Sequence, residues 1–327
     1  MILLIGGLGN VGLNLAEEMA KNNIPFTILG RQSAKSVNLL HPELNYLELD
    51  VLHSSNWNLN NNFKIAVNLA YSSSNFANNV IRDNKKLMHN LYQNKNSFEN
   101  IIHISTTAVS GYGSPIPSSL INRNIWDDFY TLAKSTQEKE IYNNQYPFKV
   151  VRIANFLGKN SIFLKSLAIL SQLDLNKEDF NFSADLTTAY DIVDYLNDDR
   201  IPTIGNLLTS NNLTWAEVID YTKTHWDIVD NIRFDYKNNM NFKDNKKILR
   251  YLTKFIPSNY SGSIERAIKR NKLLLNITQS RISNINHINT IFRVKRYGES
   301  SNQATPDIIF LKYLKSLSNN ALNYRLK

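Results

Sequence analysis

A tyrosine and a lysine stand four residues apart in Tyr130-Thr131-Leu132-Ala133-Lys134. On a helix this spacing is about one turn, so both side chains project from the same face. The lysine charge favours the phenolate and lowers the pKa of the tyrosine toward the range of a general base. The pair alone is common on helix surfaces, but Ile104-Ser105-Thr106-Thr107-Ala108 supplies hydroxyls that could bond the same substrate oxygen. The two segments together predict proton transfer at a substrate hydroxyl or carbonyl.

A glycine-rich turn, Gly6-Gly7-Leu8-Gly9-Asn10-Val11-Gly12, joins an apolar strand directly to a helical pattern. Gly6 allows a tight turn, Gly9 lets the backbone approach a pyrophosphate, and Gly12 lets helix and strand pack closely. The helix N-terminus then offers N–H groups and a partial positive charge to the phosphates. We therefore expect a dinucleotide site with contacts at Gly6, Gly9, Asn10, Val11 and Gly12.

The second predicted strand ends at Leu29-Gly30-Arg31, where an NAD site usually places an acidic residue for the ribose hydroxyls. Arg31 suits a 2′-phosphate instead, and Lys35 could add a second charge, which favours NADP over NAD. The alternative is an exposed loop arginine without a ligand. Asp50, after the third strand, is placed to accept a bond from an adenine amino group, or is a turn residue.

Short apolar runs alternate with helical patterns, which indicates βαβ units and a parallel sheet. Strands are predicted at residues 1–5, 25–29, 46–49, 65–70, 101–105 and 150–153, with a helix over 11–22. The expected fold class is α/β, a Rossmann-type doubly wound parallel sheet with a smaller C-terminal substrate-binding region and a basic, mostly helical tail. We expect a dinucleotide-binding domain at 1–158, a substrate-binding region at 159–230 interleaved with the end of the sheet, and a basic extension at 231–327.

Composition limits the class of protein. The chain has 327 residues, no cysteine and a formal net charge of +9, and 19 of its 37 basic but only 5 of its 28 acidic residues follow Asp230. The basic tail could bind nucleic acid or anionic lipid, but its charges form no polybasic block, so we favour a solvated face. No secretory signal or membrane span is expected, which predicts a cytoplasmic protein without stable membrane insertion or a nucleic-acid partner.

The sequence resembles the extended short-chain dehydrogenases/reductases, in particular the NAD(P)-dependent epimerase/dehydratase group. The resemblance covers roughly residues 1–226 and rests on motifs in the family's order. They are the glycine turn, Leu49-Asp50-Val51, Val67-Asn68-Leu69-Ala70, Asn84, Ser105-Thr106-Thr107, Tyr130 to Lys134, Arg152-Ile153-Ala154-Asn155-Phe156-Leu157-Gly158, and Thr214-Trp215-Ala216-Glu217.

The resemblance implies roles for individual residues. Thr107 orients the substrate, Tyr130 is the acid/base, and Lys134 binds the nicotinamide ribose and tunes Tyr130. Asn155 lies near the sugar and diphosphate of the substrate. Further cofactor contacts are implied at Asp50, Val51, Leu69 and Ala70, and no metal is implied.

Departures from the family's motifs limit the range of reactions to be expected. The 4,6-dehydratases carry Asp-Glu after the catalytic threonine, whereas Ala108 and Val109 follow Thr107 here, which disfavours dehydration. The family's Tyr-Gly is shifted into Ser110-Gly111-Tyr112-Gly113, and Lys159 replaces a common proline.

The resulting hypothesis is an epimerase or reductase of a nucleotide-linked sugar in surface polysaccharide biosynthesis, acting as a homodimer. The alternatives are an oxidoreductase of a lipid-like alcohol or ketone, and a non-catalytic dinucleotide-binding scaffold or sensor. The last is the less favoured because such proteins typically lose the tyrosine or lysine that this chain keeps.

Overall fold

The strands that the sequence predicts form one parallel sheet. The computed structural model describes residues 1–42, 44–59, 63–74, 76–110, 129–159, 161, 186–197, 204–207, 214 and 216–220. The strands are β1 (Ile2–Ile5), β2 (Phe26–Gly30), β3 (Tyr46–Glu48), β4 (Phe63–Asn68), β5 (Phe98–Thr106), β6 (Phe148–Ile153), β7 (Asn155–Leu157), β8 (Leu186–Thr188) and β9 (Ile204–Leu207). The helices are α1 (Asn10–Lys21), α2 (Ala34–Leu40), α3 (Ala77–Gln93), α4 (Phe129–Asn143) and α5 (Ala189–Asn197).

The main sheet has seven strands in the order β3-β2-β1-β4-β5-β6-β9, and every neighbouring pair is parallel. From β1 the chain continues to β2 and β3 on one side, and it then crosses to β4 on the other side of β1. The topological switch point therefore lies between the neighbouring strands β1 and β4. In a doubly wound sheet, ligands bind outside the carboxyl ends of the strands at such a switch point. The predicted Rossmann-type fold is confirmed, and the glycine turn lies at the end of β1.

Alternating side chains of the strands build two cores, one on each face of the sheet. On one face Leu4 and Val67 pack with Leu15 of α1 and Ile192 of α5. On the other face, Leu3, Ala66 and Ile101 pack with Leu87 of α3 and Ile141 of α4. Because helices cover both faces, the inner strand β1 is apolar on both sides, as parallel strands usually are.

A second, two-stranded parallel sheet joins β7 to β8. Thr187 Oγ1 of β8 accepts the N–H of Ala154 at 2.9 Å and donates to the carbonyl of Leu207 at 2.7 Å. One buried hydroxyl thus connects the ends of β6, β8 and β9. Thr188 caps α5: its Oγ1 accepts the N–H of Asp191, and Asp191 Oδ2 accepts the N–H of Thr188 in return.

The chain divides into two compact units. The first comprises residues 1–125, 129–158 and 186–208, and the second comprises 126–128, 159–185 and 209–327. In the second unit, Thr214 and Glu217 bond each other's backbone N–H groups, the reciprocal capping box of a helix start. The predicted tail, most of the predicted substrate-binding region and the motif at 111–113 lie outside the described residues.

Two glycines of the turn, Gly12 and Gly9, differ in how closely backbone atoms surround them. A Cβ on Gly12 would lie 2.3 Å from the carbonyl oxygen of Gly7 and 2.4 Å from its Cα, whereas a Cβ on Gly9 would meet only the carbonyl oxygen of Gly6 at 3.4 Å. Gly12 therefore serves the close packing of α1 against the turn.

We expect Gly12→Ala to lower the free energy of unfolding by about 1–3 kcal/mol or more, because backbone atoms have to move to admit the methyl group. Gly9→Ala is the matched control, with a loss below about 1 kcal/mol for an alanine at an N-cap. Urea unfolding of both variants measures the difference. Equal losses would show that this close approach does not determine the stability of the turn.

Candidate functional site

The glycine turn is locked against the segment that follows β4. Gly6 has φ of +75°, in the left-handed region, and a Cβ there would lie 2.9 Å from the Cα of Ala70. Gly9 brings no side chain to cap α1, and the first turn of α1 contains no acidic residue. Gly9 is exposed, and no carboxylate in the first turn of α1 competes with a bound phosphate for the helix N-terminus.

The end of β2 is basic and exposed. Arg31 follows Gly30 and is exposed. Gly30 pairs with Glu48 of the neighbouring strand β3. Glu48 Oε2 accepts the N–H of Ala34 at 2.8 Å and so caps α2. The carboxylate beside this strand end is thus engaged by the backbone, while the guanidinium of Arg31 is accessible to a ligand.

Asp50 forms a turn. Its Oδ1 accepts the N–H of Leu52 at 2.9 Å, and its Oδ2 lies 3.0 Å from Nδ1 of His53. Burial acts to raise the pKa of Asp50, but the bonds from His53 and Leu52 outweigh it, and the pKa is lowered. Asp50 is therefore an anion at neutral pH that shapes the turn containing Val51, and its predicted bond to an adenine amino group stays a prediction.

Lys134 is the central charged group of the site. It is 2% exposed, and its Nζ donates to the carbonyl of Ile104 in β5 at 2.8 Å. Burial lowers the pKa of Lys134 to about 7, although the carboxylate of Glu138 acts to raise it. The ammonium is thereby fixed at the end of β5 and changes charge near neutral pH.

Tyr130 lies one turn before Lys134 on α4 and is 36% exposed. The ring of Tyr71, which follows β4, lies nearly perpendicular to the ring of Tyr130, with centroids 5.3 Å apart and planes at 80°. Nζ of Lys134 lies 5.6 Å from the centroid of the Tyr71 ring. The structure thus brings the predicted pair together with Tyr71, a residue that the sequence analysis did not select.

The other predicted substrate residues lie at neighbouring strand ends. Thr107 is buried and begins a single 3₁₀ turn (Thr107–Ser110) that contacts α4. Leu69 and Ala70 follow β4, where the N–H of Leu69 donates to Ile5 of β1. Asn155 is partly buried at the start of β7, just beyond the end of β6.

A buried ion pair that the sequence analysis missed lies beneath the site. Arg152 of β6 donates from Nη2 to Oε2 of Glu138 at 2.6 Å and from Nε to Oε1 at 3.0 Å, and both side chains are fully buried. Ser105 of β5 donates to Glu138 Oε1 at 2.5 Å. The sequence indicates the place of Glu138 only by its spacing, because Glu138 follows Lys134 by one helical turn. This network fastens α4 to β5 and β6.

Two further buried amides hold the ends of β4 and β5. The Nδ2 of Asn68 donates to Nδ1 of His103 at 3.0 Å, and Nε2 of Gln137 donates to the carbonyl of Ala70 at 3.0 Å. Burial, together with the charge of Lys134, lowers the pKa of His103 well below its usual range. His103 is therefore a neutral structural residue, and its Nδ1 is the acceptor in this bond.

Two negative findings apply to the described ranges alone. None of their helices is long and apolar enough to cross a membrane. Their His, Asp and Glu side chains form no cluster of three that could hold a metal ion.

Comparison with known proteins identifies the family. Residues 2–193 match the sequence profile described as the NAD dependent epimerase/dehydratase family. The chain belongs to the NAD-dependent epimerase/dehydratase family. The matched range contains the glycine turn, Tyr130 and Lys134, so the resemblance drawn from those motifs is confirmed. No curated protein matches the sequence.

Solved structures share the family's fold with this chain at low identity. The protein gox2253 is 15% identical over 68% of this chain and 73% of its own, with a TM-score of 0.50. UDP-N-acetylglucosamine 4-epimerase from Bacillus cereus is 18% identical over 68% of this chain and 81% of its own, with a TM-score of 0.48. UDP-glucose 4-epimerase from Thermotoga maritima is 16% identical over 68% and 81%, with a TM-score of 0.47.

The buried ammonium of Lys134 predicts a pH-dependent effect on stability. The pKa of Lys134 is about 7 in the folded protein, whereas an unfolded lysine titrates near 10.5, so between these values the unfolded state binds more protons. The free energy of unfolding of the wild type should therefore rise with pH, relative to Lys134→Met, by up to about 1.4 kcal/mol per pH unit.

Urea unfolding of both proteins between neutral pH and pH ~10 measures this difference. Lys86→Met, which removes an exposed lysine of α3, controls for the loss of a positive charge. A difference between wild type and Lys134→Met that stays constant with pH would contradict the burial of the ammonium.

Proposed function

We propose that this protein transfers a hydride between a nicotinamide dinucleotide and a carbon of a nucleotide-linked sugar, as an epimerase or a reductase. The observation that carries the proposal is the placement of Tyr130 and Lys134. The buried Nζ of Lys134 is held on the carbonyl of Ile104 at 2.8 Å, at the carboxyl edge of the sheet that also holds the glycine turn. Surface polysaccharide biosynthesis is the pathway class that we propose for the product.

The residues at this edge fit a dinucleotide. The cradle between Gly6 and Ala70 leaves no room for a side chain, and the N-terminus of α1 lacks any acidic residue in its first turn. We assign the diphosphate to the backbone at Gly9 and the N–H groups of Asn10 and Val11. We assign the adenosine half to Arg31, Asp50 and Val51, and the nicotinamide half to Leu69, Ala70, Tyr130 and Lys134. When bound, the nicotinamide supplies or accepts the hydride.

Tyr130 is the proposed acid/base. Its exposed phenol takes the proton of a sugar hydroxyl during oxidation and returns it to the carbonyl oxygen during reduction. The ammonium of Lys134, held near this phenol, stabilises the phenolate form. Glu138 and Arg152 neutralise each other, so the protonated Lys134 is the net charge of this buried cluster. Thr107 orients the oxygen on which Tyr130 acts, and Asn155 binds the sugar or diphosphate.

The turn after β5 favours redox chemistry without dehydration. Ala108 and Val109 follow Thr107 and carry no group that could donate or accept a proton. An epimerase completes an oxidation and a reduction on opposite faces of one carbon, whereas a reductase performs only the second step. Arg31, which suits a 2′-phosphate, favours NADP and hence the reductase.

The direct test is a screen of nucleotide sugars with purified protein and each of NAD⁺, NADP⁺, NADH and NADPH. Absorbance of the reduced nicotinamide detects net oxidation or reduction, and chromatography of the sugars detects epimers that form without net redox change. A sterol and a long-chain ketone, added in parallel, test the lipid-like alternative. Dinucleotide binding without turnover of any compound would instead support the scaffold or sensor.

Tyr130→Phe should lower kcat by at least about 100-fold, because it removes only the oxygen that transfers the proton. Dinucleotide affinity should stay close to that of the wild type, as measured by calorimetric titration. Tyr142→Phe, at an exposed tyrosine in the last turn of α4, is the matched control. Turnover of Tyr130→Phe within a few-fold of the wild type would refute the role of Tyr130.

Arg31→Asp should reduce the ratio of NADP to NAD affinity by about 10-fold or more, because a hydrogen bond to a charged group contributes about 1.5–3 kcal/mol. The carboxylate opposes a 2′-phosphate and accepts bonds from free ribose hydroxyls. Arg82→Asp, at an exposed arginine of α3, is the control. Equal changes in the affinities for NADP and NAD would place Arg31 outside the cofactor site.

A further inference from the structure

The segment after β4 presents an exposed aromatic ring on a tightly held backbone. Tyr71 is 46% exposed. The residue before it, Ala70, donates its N–H to Oδ1 of Asn68 at 3.1 Å, and its carbonyl accepts Nε2 of Gln137 at 3.0 Å. Asn68 and Gln137 are fully buried, and Gln137 lies on α4, the helix that carries Tyr130. The backbone on the N-terminal side of Tyr71 is therefore fixed relative to α4.

The residue after Tyr71 is held in the same way. Oδ1 of Asn84 accepts the N–H of Ser72 at 3.0 Å, and Nδ2 of Asn84 donates to the carbonyl of Ser72 at 2.7 Å. Asn84 is fully buried on α3. Buried amides thus bond the backbone on both sides of one exposed tyrosine, which restricts where its ring can lie.

The ring of Tyr71 contacts both members of the proposed catalytic pair. It meets the ring of Tyr130 in the perpendicular arrangement that aromatic pairs prefer, at 5.3 Å between centroids. It also lies within cation–π range of Nζ of Lys134, at 5.6 Å from centroid to nitrogen. A half-exposed ring is thus placed beside an ammonium that is itself 2% exposed.

We propose that Tyr71 is a positioning residue, whose ring fixes the orientation of the Tyr130 ring and covers the ammonium of Lys134 from water. The orienting role rests on the proposed function, whereas the covering role does not depend on any substrate. Both contacts are made by the aromatic ring of Tyr71 and neither by its hydroxyl, so phenylalanine should replace Tyr71 and an aliphatic residue should not.

The covering role is tested by acetic anhydride labelling of Lys134, followed by mass spectrometry. Relative to the exposed Lys86 in the same sample, labelling of Lys134 should rise several-fold in Tyr71→Leu and stay at the wild-type rate in Tyr71→Phe. Tyr142→Leu, which removes an exposed tyrosine from the last turn of α4, is the matched control and should leave the rate unchanged. Unchanged labelling in Tyr71→Leu would overturn the covering role.

The orienting role is tested by turnover of the sugar that the screen identifies. In Tyr71→Leu, kcat should fall by about 10-fold to 100-fold, the cost of a small misplacement of a reacting group, with KM changed little. Tyr71→Phe should restore kcat, and an unchanged kcat in Tyr71→Leu would overturn the orienting role. If the wild type converts no sugar, the proposed function fails while the labelling result still decides whether Tyr71 covers Lys134.

Discussion

Removing the ammonium of Lys134 from water is the constraint on which the site depends. A buried cation is costly unless hydrogen bonds and opposite charge compensate it. Here the carbonyl of Ile104 accepts a hydrogen bond from the ammonium, Glu138 supplies negative charge from the next turn of α4, and the ring of Tyr71 lies alongside. These contacts require α4 to pack against the end of β5, and that packing determines where Tyr130 lies.

The interface between α4 and the strands β5 and β6 contains buried polar and charged side chains as well as apolar ones. Residues 134–138 of α4 are all buried, yet they are Lys, Ser, Thr, Gln and Glu. On the facing side of β5, His103 and Ser105 replace apolar side chains, and Arg152 is buried on β6. Such a network is weaker than an apolar core as a source of stability, but it tolerates few alternative arrangements. Its hydrogen bonds join Glu138 of α4 to Ser105 of β5 and Arg152 of β6.

The fold was largely predictable from local patterns. The strands are short and apolar because helices cover both faces, and the glycine turn marks the junction of β1 and α1. Tyr130 and Lys134 were recognisable because helical spacing is a property of adjacent residues. The place of Tyr71 and the ion pair of Arg152 with Glu138 were not, because sheet pairing and loop packing join residues far apart in sequence. The spacing of Glu138 from Lys134 indicates that both lie on one face of α4, whereas no local pattern indicates that Arg152 on β6 pairs with Glu138.

The arrangement at the carboxyl edge of the sheet is tested most directly by a crystal structure of the protein with a bound nicotinamide dinucleotide. We expect the diphosphate on the N–H groups at the start of α1, and the nicotinamide ribose within hydrogen-bond distance of Lys134 Nζ with Tyr130 beside it. A dinucleotide bound with its ribose away from Lys134, or with its diphosphate away from the turn at Gly9, would refute the assigned cofactor site.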